Sequence, residues 1–70
     1  MKYFKTWLIK KYLKVENPFG DLARDIKGDR DFPRTNKQEK IYDYLWTCNA
    51  CSECLKTFNL AYEEYKREMK

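Results

Sequence analysis

Between Cys51 and Met69 the apolar residues Cys51, Leu55, Phe58, Tyr62, Tyr65 and Met69 follow one another at alternating steps of four and three, the repeat of a helix with one buried face. Ser52, Glu53, Lys56, Asn59, Glu63, Glu64, Lys66 and Arg67 occupy positions between them. Neither Gly nor Pro interrupts the stretch, so the spacing predicts a single amphipathic helix of about five turns. A buried face of that length needs partners. The rest of the chain has to supply them.

From Tyr3 to Leu13 a second helical pattern puts Phe4, Trp7 and Leu8 on one side, with Ile9 and Leu13 near the opposite side among lysines. The simpler expectation is a helix sandwiched between neighbours; the other is a mixed apolar and basic strip facing solvent. Asn17-Pro18 closes that helix and opens the next, because Asn caps well and Pro suits the first helical position. Residues 18–28 then turn Phe19, Leu22, Ala23 and Ile26 inward, with Gly28 read as the left-handed residue past the last turn. Pro33 biases Phe32 towards extended backbone, so Phe32 is expected to plug the core from a non-helical connector. A third helix is expected to start at Asn36, with Glu39 completing a capping box and Thr35 as the alternative cap. Ile41, Tyr44, Leu45 and Cys48 form its inner face, Tyr42 and Trp46 lie to the side, and Asn49 marks the break before the last helix. Alternating β-branched runs are absent.

The expected fold is therefore all-α, a compact four-helix bundle forming a single domain over residues 1–70. Seventy residues bury about 60% of their unfolded surface and leave no room for a deep cleft. Aromatic residues make up 17% of the chain, and large rings are how a small helical core reaches enough buried area. No apolar run approaches the roughly 18 residues of a membrane span, and Met1 to Val15 is too lysine-interrupted to be expected to act as a signal peptide. The expected location is cytoplasmic. An odd cysteine count, three, fits reduced thiols.

Several of these segments together resemble a known family. Phe4-x-x-Trp7-Leu8, Leu22-Ala23, Asp29-x-x-Phe32-Pro33, Ile41-x-x-Tyr44-Leu45 and Phe58-x-x-Ala61-Tyr62-x-x-Tyr65 are similar to the pattern of the small bacterial YozE family. The resemblance covers nearly the full length and implies a four-helix, SAM-like fold; it implies no catalytic residue. The cysteine set and the lysine-rich first helix are departures from it. By analogy of fold, it suggests protein association or nucleic-acid binding.

The net charge of +4 is concentrated at the N-terminus, where Lys2, Lys5, Lys10, Lys11 and Lys14 meet no acid before residue 16. Lysines interleaved with Tyr3 and Tyr12 are the composition that single-strand binders use, with cations along the phosphates and rings under the bases. These seven residues form the expected nucleic-acid-binding set. The leading expectation is a non-catalytic accessory subunit of a larger protein such as a polymerase, primase, helicase or recombinase, with DNA contact through the first helix. An alternative is a protein-interaction or homo-oligomerisation module docking through Ile9, Leu13 and Trp46. A thiol metal or redox site ranks last.

Enzymatic classes find little support. Cys48-x-x-Cys51-x-x-Cys54 offers three ligands where structural zinc takes four, and no His completes it. The three are read as small buried hydrophobes, with no metal and no cofactor expected. The carboxylate pairs Asp21 and Asp25, and Asp29 and Asp31, fit solvated faces better than an acid-base site. Tyr62 and Tyr65 fit core positions with hydroxyls reaching water. Neither a membrane nor a small-molecule substrate is expected.

Overall fold

The computed structural model describes residues 3–69. Four helices follow in order: α1 (Phe4–Tyr12), α2 (Pro18–Lys27), α3 (Gln38–Thr47) and α4 (Ser52–Glu68). No strand occurs among the described residues. The longest helix, α4, contacts each of the other three; α1 and α2 also pack on one another, whereas α3 makes close backbone contact with no helix but α4 among the described residues. The last helix is thus the common surface that its apolar stripe requires.

Phe4 is the hub of the core. Its ring is fully buried, lies edge-on to Phe58 at 5.3 Å and to Tyr65 at 5.5 Å, and is tilted against Tyr62 at 5.6 Å and Trp7 at 5.8 Å. Leu8, Leu22, Ala23, Ile26, Ile41, Leu45, Leu55 and Ala61 close around this aromatic centre. Phe32 plugs in from the α2–α3 connection, edge-on to Tyr44. Truncating Phe4 to Ala would cost about 3–5 kcal/mol, comparable with everything a core of this size supplies.

The α1–α2 connection depends on one glycine. A Cβ on Gly20 would come within 1.7 Å of the Val15 carbonyl oxygen, so only a residue without a side chain fits where the connection passes over the start of α2. Asn17 caps that helix as expected, its side chain accepting the Gly20 N–H at 2.9 Å.

Several local expectations need correction. Gly28 has φ −80°, so the end of α2 is right-handed and needs no glycine conformation. The left-handed residue is Asn49, at φ 61°. There the Asn49 N–H donates to the Trp46 carbonyl and the Ala50 N–H to that of Leu45, each at 3.0 Å, which closes α3 in a Schellman motif. The capping box at Asn36 does not form. Lys37 occupies the N-cap of α3 and no side chain caps it, because the Asn36 side chain is used elsewhere: its Oδ1 accepts the Phe4 N–H of α1 at 3.1 Å. Thr35 accepts the Lys37 N–H from just outside the helix. Tyr62 and Tyr65 are core residues as expected, but the Tyr62 hydroxyl donates to the Asn36 carbonyl rather than to water.

The cysteines are the largest departure. Cys51 is the exposed N-cap of α4 and lies outside the stripe; Cys48 is exposed at the C-cap of α3, and only Cys54 is half-buried against the core. The apolar stripe begins at Leu55, one turn later than its spacing suggests, because helical geometry starts only after Cys51. α1 packs on both α2 and α4, while Ile9 and Leu13 are half-buried and sit outside the core cluster, so the side of α1 that carries them is only partly covered.

Candidate functional site

The start of α1 is fixed by two long-range ties. Phe4 anchors it in the core while its N–H reaches Asn36, and Phe32 holds the connector from the other side. Between those anchors, Pro33 and Arg34 are laid beside Tyr3, Lys5 and Thr6. The five residues line an open cleft of about 320 Å³. Among the described residues no carboxylate lines it. Tyr3 precedes α1 in extended conformation and is 49% exposed, Arg34 is exposed, and the Lys5 ammonium donates to the Asp29 carbonyl oxygen at 3.5 Å. Arg34 has no hydrogen-bond or ion-pair partner among the described residues.

The expected nucleic-acid set divides on this geometry. Lys2 lies outside the described residues. Tyr3 and Lys5 belong to the cleft. Lys10 and Lys14 are exposed and unpaired among the described residues, and Tyr3, Thr6 and Lys10 succeed one another at helical steps of three and four. Lys11 and Tyr12 are committed to the fold. The Lys11 ammonium pairs with both Glu64 and Glu68 of α4 and stands over the rings of Trp7 at 5.5 Å and Tyr12 at 5.7 Å. Its hydrogen bond to Glu64, then that to Glu68, raises the Lys11 pKa, and the same contacts hold both carboxyls below their ordinary range. Trp7 Nε1–H donates to Glu68 at 3.0 Å, and the Tyr12 hydroxyl donates to Glu64 at 2.6 Å. Tyr12 also stacks on Phe19 at 5.2 Å, and burial raises its pKa. It is therefore half-buried and its ring is not free for a base, contrary to its expected place on the surface.

The expected protein-docking set is spread over two helices. Ile9 and Leu13 are on or beside α1 and Trp46 on α3, and these two helices make no close backbone contact among the described residues. Trp46 is 66% exposed; Tyr42, read with it as lying to the side of the helix, is half-buried against the core.

The carboxylate pairs have local roles. Asp21 pairs with Arg24. Asp29 accepts the Tyr44 hydroxyl and the Asp31 N–H, and its hydrogen bond to Tyr44 is the chief cause that raises that phenol's pKa. Among the described residues no group of three or more His, Cys, Asp or Glu is placed to hold a metal ion.

The model of a family described as having the YozE SAM-like fold matches residues 4–67. The chain belongs to the YozE SAM-like family. The matched span of this YozE chain starts at the core hub Phe4 and runs through all but the last residue of α4. Comparison with curated proteins and with solved structures gives no match. No helix among the described residues is long and apolar enough to cross a membrane. Sequence reasoning missed Arg34 and Thr6 as members of the cleft. A signal for Arg34 was present in its neighbours, since a buried Phe32 followed by Pro33 fixes where the next side chain emerges.

Proposed function

We propose that this YozE-family chain is a non-catalytic, cytoplasmic binding module that contacts nucleic acid through Tyr3, Lys5, Thr6 and Arg34, aided by exposed Lys10 and Lys14, as an accessory to a larger DNA-processing protein. The observation that carries the reading is the cleft itself, where half-exposed Tyr3 lies among two cations with no carboxylate along the wall among the described residues. Such a cleft attracts phosphate by charge and offers a π-face to an unstacked base, a combination that favours single strands over duplex. Lys11 and Tyr12 are left out of it because Glu64 and Glu68 already satisfy them.

Fluorescence anisotropy with labelled single- and double-stranded oligonucleotides tests the reading. Two to four phosphate contacts should give a slope of log affinity against log salt of about −1.4 to −2.8 for single strands. Undetectable binding at low salt, or binding that ignores salt, refutes it. A second reading, homo-oligomerisation or docking on a protein through Trp46, is favoured by that side chain's exposure. Light scattering would support it by a mass above that of the monomer that falls to the monomer mass in Trp46→Ala.

A further inference from the structure

The three thiols expected to be buried packing are instead gathered on one wall. Cys48, Cys51 and Cys54 all line an open cavity of about 330 Å³ with Leu22, Ile26 and Phe32 at its apolar side. Cys51 and Cys54 also share a second cavity of about 400 Å³ between α2 and the start of α4. All three are free thiols.

Their backbone positions differ in a way that matters chemically. Cys51 is the N-cap of α4, in extended conformation (φ −70°, ψ 163°), and its carbonyl accepts the Leu55 N–H at 3.1 Å. Cys54 is the third residue of the same turn. A rise of 1.5 Å per residue on a helix of about 2.3 Å radius puts Cα atoms three apart at about 5 Å, inside the roughly 4.4–6.8 Å that a disulfide spans. Two thiols in the middle of a helix at this spacing would be held on parallel tracks. Here Cys51 keeps its carbonyl in the helical ladder but has extended φ and ψ, so its side chain is not bound to the track it would follow inside the helix and can turn towards Cys54 without unwinding α4. The first turn of α4 also has no side-chain cap, so the positive end of the helix lies beside the Cys51 backbone.

We propose that Cys51 and Cys54 form a reversible dithiol–disulfide site, with exposed Cys51 as the attacking sulfur, half-buried Cys54 as the resolving one and low-molecular-weight disulfides as the oxidant class. Deprotonated Cys51 attacks one sulfur of the small disulfide; that S–S bond breaks, a mixed disulfide forms and one small thiolate leaves. Deprotonated Cys54 then attacks the Cys51 sulfur, expelling the second small thiolate as the Cys51–Cys54 bond forms. The two protein thiols lose two electrons and two protons, and the small disulfide gains them as two thiols. Burial, with the charges of Cys51 and Asp25, pushes the Cys54 thiol up, which keeps it from reacting first. Cys48 lines the same cavity from the end of α3, across the left-handed Asn49, and is not part of the rigid turn. This site is independent of the nucleic-acid cleft.

The test equilibrates the protein across mixtures of oxidised and reduced glutathione, quenches with N-ethylmaleimide and reads intact mass. Two thiols should become unreactive together while one still alkylates. Proteolytic cleavage after Glu53 separates Cys51 from Cys54, so the bond is read as two peptides that stay joined until reduced. Cys48→Ser should retain the bond, and Cys54→Ser should stop at a glutathione adduct on Cys51. Circular dichroism confirms that each variant is folded. Independent glutathionylation of the three thiols, a bond lost in Cys48→Ser, or only intermolecular disulfides would overturn the proposal.

Discussion

Replacing Gly20 by Ala sets two physical effects against each other. In a helix interior Ala is favoured over Gly by about 1 kcal/mol, so propensity alone predicts a more stable protein. The new Cβ, however, would lie 1.7 Å from the Val15 carbonyl oxygen and 2.8 Å from the Val15 carbonyl carbon, where ordinary contacts are about 3.5 Å. Both atoms are backbone, so no rotamer change relieves the overlap; the connection must move by roughly 1.5–2 Å. That displacement disturbs the Val15 N–H bond to the Tyr12 carbonyl and the Arg24 bonds to the carbonyls of Leu13 and Val15. Overpacking costs about 1–3 kcal/mol and each lost hydrogen bond about 0.5–1.5 kcal/mol. Set against the propensity gain, the net is a loss of about 2–3 kcal/mol. At about 4–8 °C per kcal/mol for a domain of this size, Gly20→Ala should lower Tm by roughly 10–20 °C. Gly28→Ala is the internal control, because its Cβ meets only the Arg24 and Asp25 carbonyl oxygens at 3.7 and 3.8 Å. It should change stability by no more than about 1 kcal/mol, in the favourable direction. Thermal and urea melts followed by far-UV circular dichroism measure both. A Gly20→Ala protein that melts at or above the wild-type temperature refutes the close-approach reasoning.

Asn36→Ala removes the acceptor of the Phe4 N–H and should cost about 1 kcal/mol, read as a lower urea midpoint at unchanged m-value. The pH dependence follows from Glu64 and Glu68, whose pKa values are lowered chiefly by the hydrogen bond from Lys11. A depressed carboxylate contributes stability that is present above its unfolded pKa and lost as pH falls through its folded one. Acid melts of Glu64→Gln/Glu68→Gln should therefore lose less stability over that window than the wild type; an identical loss would show that the pairs contribute nothing. Trp46→Ala, at a residue 66% exposed, should stay within about 0.5 kcal/mol of wild type in the same melts.

The regularities of period and ring spacing were legible in the sequence because they are local. The stripe of α4, the inward residues Phe4, Trp7, Leu8, Leu22, Ala23 and Ile26, the Phe32 plug and the break at Asn49 all follow from patterns within a turn or two. What misled were residues whose choices are made across the chain. Asn36 has the sequence context of an N-cap, but Phe4, 32 residues away, offers a donor that competes for its side chain. Lys11 and Tyr12 look like a basic-aromatic surface until Glu64 and Glu68 arrive from α4. Cys51 satisfies the heptad-like spacing, yet the helix starts after it. The candidate cleft was half legible: Tyr3 and Lys5 are neighbours in sequence, while Arg34 reaches them only through tertiary structure.

The proposed function is tested most directly by comparing Arg34→Gln with Lys11→Gln in single-stranded oligonucleotide binding at one low salt concentration. Each substitution removes one positive charge, so their effect on net charge is the same. If the cleft is the site, Arg34→Gln weakens binding about fivefold, the equivalent of about 1 kcal/mol, and flattens the salt slope by about 0.7. Lys11→Gln, already neutralised by Glu64 and Glu68 in the folded protein, leaves affinity near wild type. Equal weakening by both, or a larger loss from Lys11→Gln in a protein that remains folded, would contradict the account.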